Sequence, residues 1–241
     1  MTDQPTEKRG FLQDLGDLFI APVDAFASLV ARNQFWIPMI LTAVVLSACM
    51  GFWVSKVDPA AVTRNQLEEM GFWQKIPPDQ QAIVLENAGN GFAAKQIAGV
   101  VLVPPLMALV MAAVLLLIFR FAMDGSLTFR QSLTVLCWGS FAVTLVSMPL
   151  MLLTLALKGD WNIPLMNAVN ANLTLALSKD STPKFLYSVA SSLDLFSFWT
   201  IFLYATGFAT ATKRSLSWAL LGVTIPWAVY VLIKSGLMSL F

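Results

Sequence analysis

The run Ile97–Phe119, IAGVVLVPPLMALVMAAVLLLIF, decides the fold, because it contains no Asp, Glu, Lys or Arg. A helix needs about 20 mostly apolar residues to cross the hydrocarbon core of a bilayer. Four further runs share this property: Trp36–Ser55, Leu133–Leu157, Leu195–Thr212 and Leu216–Ile233. They do not alternate apolar with polar residues, as the strands of a membrane barrel would. The sequence therefore predicts an all-α polytopic membrane protein, a bundle of five transmembrane helices.

Composition supports this prediction and narrows the possible functions. Hydrophobic residues make up 57% of the chain and charged residues only 12%, about half the charged share of a soluble domain. The net charge of +1 gives no reason to expect a nucleic-acid partner. The chain has no histidine, the commonest general base and metal ligand. Cys49 and Cys137 lie inside apolar runs, where buried cysteines act as small hydrophobic side chains. We therefore expect no enzymatic activity, catalytic residues, metal or cofactor.

Prolines and small residues inside the runs give two further expectations. Helix-breaking prolines predict kinks, which serve either as hinges around a cavity or as packing features; they are Pro104, Pro105, Pro149 and Pro226. Small residues four apart let helix backbones approach closely. Such stripes are Ala43, Ser47 and Gly51, then Ala108 and Ala112, then Gly207 and Ala211. The neighbour at a stripe is either another span or a second copy of the chain, which leaves a homo-oligomer open.

Arginine and lysine near short loops predict the orientation in the membrane, because such loops stay on the cytoplasmic side. The two short connections carry Arg120, Arg130, Lys213 and Arg214, and the N-terminal segment carries Lys8, Arg9 and Arg32. We therefore expect a cytoplasmic N-terminus and an external C-terminus. The chain then divides into a cytoplasmic segment, 1–35, and a transmembrane domain, 36–241, with an external helical loop at 56–96.

The segment before the first span has amphipathic character. Apolar residues recur at helical spacing, at Leu12, Leu15, Phe19, Val23, Phe26 and Val30, whereas Asp14, Asp17, Asp24 and Arg32 occupy other faces. Pro22 suits the first turn of a new helix. The pattern predicts two short helices along the membrane interface. They serve either as a plain anchor or as a docking surface for a cytoplasmic protein.

In the external loop, Asp58-Pro59 is a typical helix start and Gly71 a typical stop. A second helix is predicted from Pro78 to Gly89, and Arg64 and Glu68 are spaced to pair on a helix surface. At the same side of the membrane, Asp194 opens the fourth span and Lys234 closes the fifth. These two residues either form a structural ion pair or each extend separately to the interface.

Aromatic residues, proline and glycine at the two ends of the chain follow a recognisable pattern. Near the N-terminus it comprises Asp17-Leu18-Phe19-Ile20-Ala21-Pro22-Val23-Asp24-Ala25-Phe26 and Phe35-Trp36-Ile37-Pro38. Near the C-terminus it comprises Leu193-Asp194-Leu195-Phe196-Ser197-Phe198-Trp199, Gly207, Lys213 and Ile225-Pro226-Trp227. In these features the chain resembles the Yip family of Ypt/Rab GTPase-interacting membrane proteins, in its bacterial branch. The resemblance implies five spans, a cytoplasmic N-terminus and a bacterial inner membrane.

In the eukaryotic branch of that family, an Asp-Leu-Tyr-Gly-Pro stretch before the first span is associated with Rab binding and vesicle traffic. Asp17, Leu18 and Pro22 are similar to it, while Phe19 replaces the tyrosine, the glycine is absent and the spacing to proline is longer. The candidate partner-binding residues are therefore Asp17, Leu18, Phe19, Pro22 and Phe26. The resemblance implies a non-enzymatic scaffold or adaptor in membrane organisation or envelope and vesicle trafficking. The alternative is a transporter or permease component for a lipid or small solute, suggested by the prolines.

Overall fold

The computed structural model describes residues 10–169, 171–178 and 181–239; residues 1–9, with the predicted orientation signals Lys8 and Arg9, lie outside these ranges. The described ranges are helical and contain no β-strand beyond one isolated bridge between Asn172 and Asp194. In chain order the helices are α1 (Phe11–Ile20), α2 (Pro22–Arg32), α3 (Trp36–Val54), α4 (Pro59–Glu69), α5 (Pro78–Glu86), α6 (Phe92–Leu117), α7 (Phe129–Lys158), α8 (Lys184–Ser192), α9 (Leu195–Thr212) and α10 (Leu216–Ser239). The all-α prediction is confirmed.

Five of these helices are long and apolar enough to cross a membrane, as predicted: α3, α6 with its continuation to Ala122, α7, α9 and α10. Three of them extend beyond the uncharged runs. The second begins at Phe92 rather than Ile97, so Lys95 and Gln96 lie in its first turns. The third begins at Phe129, where Thr128 and Gln131 form a reciprocal capping box. The length of a run without charges therefore underestimates the length of a spanning helix whose ends reach into the polar interface.

Helix α7 is the central element of the bundle. It packs against α3, α6 and α9 and also contacts α1 and α2. Helix α6 is more apolar than α7 and less buried. It has a long face of exposed residues that includes Leu102, Leu106 and Val110. The helix that faces lipid must be apolar throughout, whereas the central helix also uses small and polar residues for packing.

The small-residue stripe on α9 explains how closely the helices approach. A Cβ built on Gly207 would lie 2.5 Å from Val135 Cγ1 of α7 and 3.1 Å from the ring of Phe26 in α2. No side chain fits there without moving its neighbours. On α3, by contrast, a Cβ on Gly51 would meet nothing within 4 Å. The α9 stripe thus serves packing within the chain, and a homo-oligomer through the α3 stripe stays a prediction.

Prolines 104, 105, 149 and 226 all lie inside continuous helices, α6, α7 and α10. The interior between α6 and α9 is filled by aromatic rings. Phe119 stacks on Phe208 with centroids 4.5 Å apart, and Trp218 lies 5.2 Å from Phe119. The hinge role of the prolines stays a prediction.

Different segments of the chain cover the two ends of the bundle. We call the end that carries α1, α2 and the short connections 118–128 and 213–215 the hairpin end. The opposite end, which carries α4, α5 and α8, is the loop end. At the loop end, Asp58 Oδ1 accepts a hydrogen bond from the Ala60 amide at 3.0 Å, and Arg64 pairs with Glu68 at 2.8 Å. The predicted starts of α4 and α5 and the predicted surface pair are confirmed.

Helix α8 and the short turns Leu165–Asn167 and Leu173–Ala176 were not predicted. They lie between α7 and α9, where the sequence mixes short apolar and polar stretches. Each element is shorter than three turns, too short for periodicity to stand out. Their positions depend on tertiary contacts, such as the bond from Lys158 Nζ to the carbonyl of Ala168 at 2.9 Å.

Candidate functional site

The two N-terminal helices form an antiparallel unit, which we call the α1–α2 hairpin. Ala21 separates them and donates its amide hydrogen to the carbonyl of Asp17 at 2.7 Å. Pro22 takes the first position of α2, where its missing amide hydrogen costs nothing. Asn33 ends α2 in the left-handed conformation that asparagine tolerates. The predicted pair of amphipathic helices is confirmed.

The hairpin is docked on the bundle rather than attached only by its linker. Helix α2 packs against α9 and α7, and α1 packs against α2 and α7. The indole Nε1 of Trp138 in α7 donates to the carbonyl of Gln34 at 2.8 Å, and its ring lies 5.5 Å from that of Phe11. These contacts fix both the start of α1 and the link from α2 into α3.

An ion pair between Asp14 and Arg32 closes the hairpin. Arg32 Nη2 donates to Asp14 Oδ2. The carboxylate is only 1% exposed and the arginine side chain 33% exposed. The second oxygen, Oδ1, is buried and accepts no hydrogen bond from the described residues. Because the acid lies near the start of α1 and the base at the end of α2, their bond holds the two helices side by side.

The sequence prediction placed Asp14 on the polar face, and this was wrong. The helix spacing contained the missing signal: Phe11, Asp14 and Leu18 are three and four residues apart and so share one face. Leu18 is buried, so Asp14 is buried beside it. An acid on a buried helix face requires a partner, and Arg32 is the base that the hairpin brings there.

The structure divides the five predicted partner-binding residues into two groups. Leu18 and Phe26 are core residues, 1% and 0% exposed, so in this fold they cannot touch a partner. They face inwards because they lie on the sides of α1 and α2 that pack on the bundle. Asp17, Phe19 and Pro22 remain accessible to different degrees, and Phe19 is 43% exposed with its ring 5.7 Å from that of Trp199.

Apolar residues are also exposed on the hairpin. We call this surface, made of Leu12, Phe19, Ile20 and Val23, the hairpin rim; Ile20 is 82% exposed. Asp24 is exposed next to Val23. The rim adjoins the turn at Ala21, at the opposite end of α2 from the link to α3, and Phe19 lies against Trp199, the fifth residue of α9. It is therefore an apolar surface with an acidic neighbour, beside the spanning helices.

Asp194 and Lys234, the predicted ion pair, each bond to another residue. Asp194 caps α9, since its Oδ1 accepts from the Ser197 amide at 3.0 Å and its Oδ2 from the Ser197 hydroxyl. Lys234 Nζ donates to Ser192 Oγ of α8 at 2.6 Å. The structure does not bring the two charges into direct contact among the described residues. Lys234 instead links α10 to α8, and a charge interaction with Asp194 at longer range stays a prediction.

Within the described ranges, no group of three or more histidine, cysteine, aspartate or glutamate side chains could hold a metal. Cys137 is buried and Cys49 half-buried, and both are free thiols. Exposed charged side chains lie at both ends of the bundle, such as Lys56 and Arg64 at the loop end and Arg120 and Lys213 at the hairpin end. Such groups bind partners through hydrogen bonds and charge.

An amphipathic hairpin docked on five apolar spanning helices defines a polytopic α-helical membrane protein. Residues 16–237 match the family model of the Yip1 domain, a match that begins within α1 and ends within the last turn of α10. The chain therefore belongs to the Yip1-domain family. No curated protein and no solved structure matches it.

Proposed function

We propose that this chain is a non-enzymatic adaptor that holds a protein partner at the membrane surface through the α1–α2 hairpin. The exposed rim on a fixed hairpin carries the proposal. The buried face of the hairpin, with Phe26 and Leu29, is used for docking on the bundle. The outer face still exposes large apolar side chains, of which Ile20 is the most accessible on the hairpin. A rigid helix pair with a second apolar surface is suited to present that surface to a partner.

Charge favours a protein over an anionic lipid surface as the main occupant of the rim. Helices that lie on anionic membranes usually carry lysine and arginine on their polar face. The rim is instead flanked by the exposed acid Asp24. We therefore infer that the partner contributes an apolar segment with basic residues, from a cytoplasmic protein or from the cytoplasmic side of another membrane protein.

Location and orientation belong to the same proposal. Arg32, Arg120, Arg130 and Arg214 all lie at the hairpin end, whereas Arg64 lies at the loop end. This distribution favours a cytoplasmic hairpin end and an external C-terminus. We place the protein in a bacterial inner membrane and its role in membrane organisation or envelope and vesicle trafficking.

The alternative, a transporter or permease component, has less support. Transport needs a path at the level where α6, α7 and α9 meet. At the hairpin end, the stacked rings of Phe119 and Phe208 fill the interior, and Trp138 is buried in α7. This filled interior at the hairpin end favours the adaptor.

Photo-crosslinking in native membranes tests the adaptor function. A photoreactive phenylalanine analogue at Ile20 or Val23 is expected to capture one protein at near-equal amounts, through a segment that contains lysine or arginine. The same probe at Phe121 is the matched control, because Phe121 is strongly exposed at the hairpin end but lies outside the hairpin. Charge reversal by Asp24→Lys should remove the capture. Crosslinks to lipid alone, or equal capture from Phe121, would reduce the hairpin to a membrane anchor.

A further inference from the structure

A cleft with a volume of about 830 Å³ opens at the hairpin end, between the connection from α6 to α7 and the connection from α9 to α10. We call it the basic cleft, and its walls include Arg120, Ser126, Thr128, Gln131 and Arg214. It is separate from the hairpin rim and plays no part in the proposed adaptor function.

The loop that forms one wall of the cleft has a fixed conformation. Asp124 has a φ of +51°, and the next amide, of Gly125, donates to the carbonyl of Phe119 at 2.7 Å. A Cβ on Gly125 would lie 2.8 Å from that carbonyl oxygen and 3.0 Å from the ring of Trp218. Only glycine fits between them. Arg214 Nη2 donates to the carbonyl of Asp124 at 3.2 Å, so the two connections are joined.

The charge of the cleft is mainly positive. Arg120 lies 6.0 Å from the ring of Phe121, and Arg214 lies 5.8 Å from that of Trp218. A guanidinium on a ring keeps its edge N–H groups available as donors. In the described part of the chain neither arginine pairs with a carboxylate, since the ionic contacts found there are Asp14–Arg32 and Arg64–Glu68. Asp124 is the single acid among the lining residues.

Neutral donors complete the lining. Gln131 Oε1 accepts from both the amide and the hydroxyl of Thr128, which leaves the Gln131 NH₂ group as a donor. Ser126 is exposed with its hydroxyl on the wall. Helix α7, whose N-terminus carries positive dipole character, starts at the same wall. Two arginines with several neutral donors match a phosphate group, which accepts hydrogen bonds on all its oxygens.

The surroundings identify the source of the phosphate as a lipid. The cleft lies where the spans end, so it is level with the headgroups of one leaflet. Next to it, Leu117 and Phe121 of the α6 end expose their apolar side chains outwards. A soluble phosphate compound has no use for such a surface, whereas acyl chains would cover it. The acid at Asp124 disfavours ligands with several negative charges more than a phosphodiester with one.

We infer that the basic cleft binds the phosphate group of an anionic phospholipid, between Arg120 and Arg214, with its acyl chains along the end of α6. The ligand is a lipid of the hairpin-end leaflet. Binding there would join the two short connections of the bundle through one headgroup.

Native mass spectrometry of the purified full chain with added lipid tests this site. Phosphatidylglycerol is the anionic probe and phosphatidylethanolamine the zwitterionic reference. The double variant Arg120→Gln/Arg214→Gln should bind phosphatidylglycerol about tenfold more weakly and lose its preference over the reference, whose ammonium already offsets the phosphate charge. The control is Lys56→Gln/Arg64→Gln, which removes the same charge at the loop end and should keep the wild-type affinity. Equal loss in both double variants would mean general charge attraction and would overturn the site.

Two further measurements test the location of the site and the lipid source of the phosphate. Ser126→Glu keeps both arginines but adds a negative charge to the wall, so it should also weaken binding of phosphatidylglycerol; unchanged binding would count against the cleft. Glycerol 3-phosphate at millimolar concentration should leave the lipid bound, because it lacks acyl chains. Displacement of the lipid by this soluble compound would overturn the lipid assignment in favour of a soluble phosphate.

Discussion

The hairpin end and the loop end of the bundle are covered in two different ways. At the hairpin end, α2 places Ala25, Phe26 and Leu29 in the same core as the spanning helices. At the loop end, α4 contributes Val62 to a smaller cluster, and α5 has no buried residue. Polar contacts also hold α4, such as the bond from the Asp58 amide to Asn162 Oδ1 at 2.8 Å. The hairpin is therefore an integral part of the fold, whereas α4 and α5 are attached to its surface.

The largest effect should follow loss of the acid in the hairpin ion pair. Asp14→Ala leaves Arg32 without its carboxylate and a gap in the buried face of α1. We expect a loss of about 3 kcal/mol, below the upper range for buried pairs because Arg32 is partly exposed. Chemical denaturation in detergent measures it, with Asp24→Ala as the exposed control. If both variants lost the same stability, the hairpin would not be integral to the core.

The second-largest loss of stability is expected where α9 closely approaches α2 and α7. Gly207→Ala places a methyl group against Val135 and Phe26 and should cost about 2 kcal/mol through overpacking. Gly51→Ala is the matched control, because its new methyl group meets no atom. That control should be neutral or gain up to about 1 kcal/mol from helix propensity. Thermal unfolding of the two variants in one detergent separates them, and a reversed order would contradict this packing.

At the loop end the expected effects are smaller. Lys234→Met removes the bond to Ser192 and should cost about 1 kcal/mol. Ser192→Ala should cost a similar amount, and the double variant no more than the larger single loss. Asp194→Asn should be close to neutral, since asparagine also caps helices well. A second double-mutant cycle combines Asp194→Asn with Lys234→Met. Strong coupling between these two changes would instead support the ion pair predicted from the sequence.

The smallest effect is expected at the exposed pair on α4. Arg64→Ala and Glu68→Ala should each change the free energy of unfolding by no more than roughly 0.5 kcal/mol, because solvent screens the pair and both side chains lose freedom in forming it. The same denaturation assay applies. A loss as large as that of Asp14→Ala would show that the loop end is as tightly integrated as the hairpin end.

The sequence alone predicted most of the fold, because lipid imposes a simple rule. Uninterrupted apolar runs identified the five spans, and Pro22, Pro59 and Pro78 marked helix starts by local chemistry. The ends of α6 and α7 were placed too far inside, since interfacial residues such as Lys95 and Arg130 are compatible with a spanning helix. Local signals therefore define elements better than their limits.

The candidate site was predicted less well, because it depends on which helix faces meet. Apolar periodicity marked Leu18 and Phe26 but could not tell a buried face from a docking face when both are apolar. The same limit applies to charges: Asp194 and Lys234 were matched by depth alone, while Asp14 and Arg32, 18 residues apart, required the turn at Ala21. The basic cleft combines two connections far apart in sequence, and no local pattern links Arg120 to Arg214.

The contact between α2 and α9 has a consequence for synthesis of the chain. Helix α2 leaves the ribosome long before α9, yet the groove that receives Phe26 is incomplete until Gly207 of α9 has been inserted. Until that insertion, the hairpin therefore lies at the membrane surface with Phe26 and Asp14 uncovered. Contacts between such distant segments form late and leave intermediates open to aggregation. The nascent chain would have its greatest need for a chaperone at the α1–α2 hairpin, and that need would end when the fourth span enters the membrane.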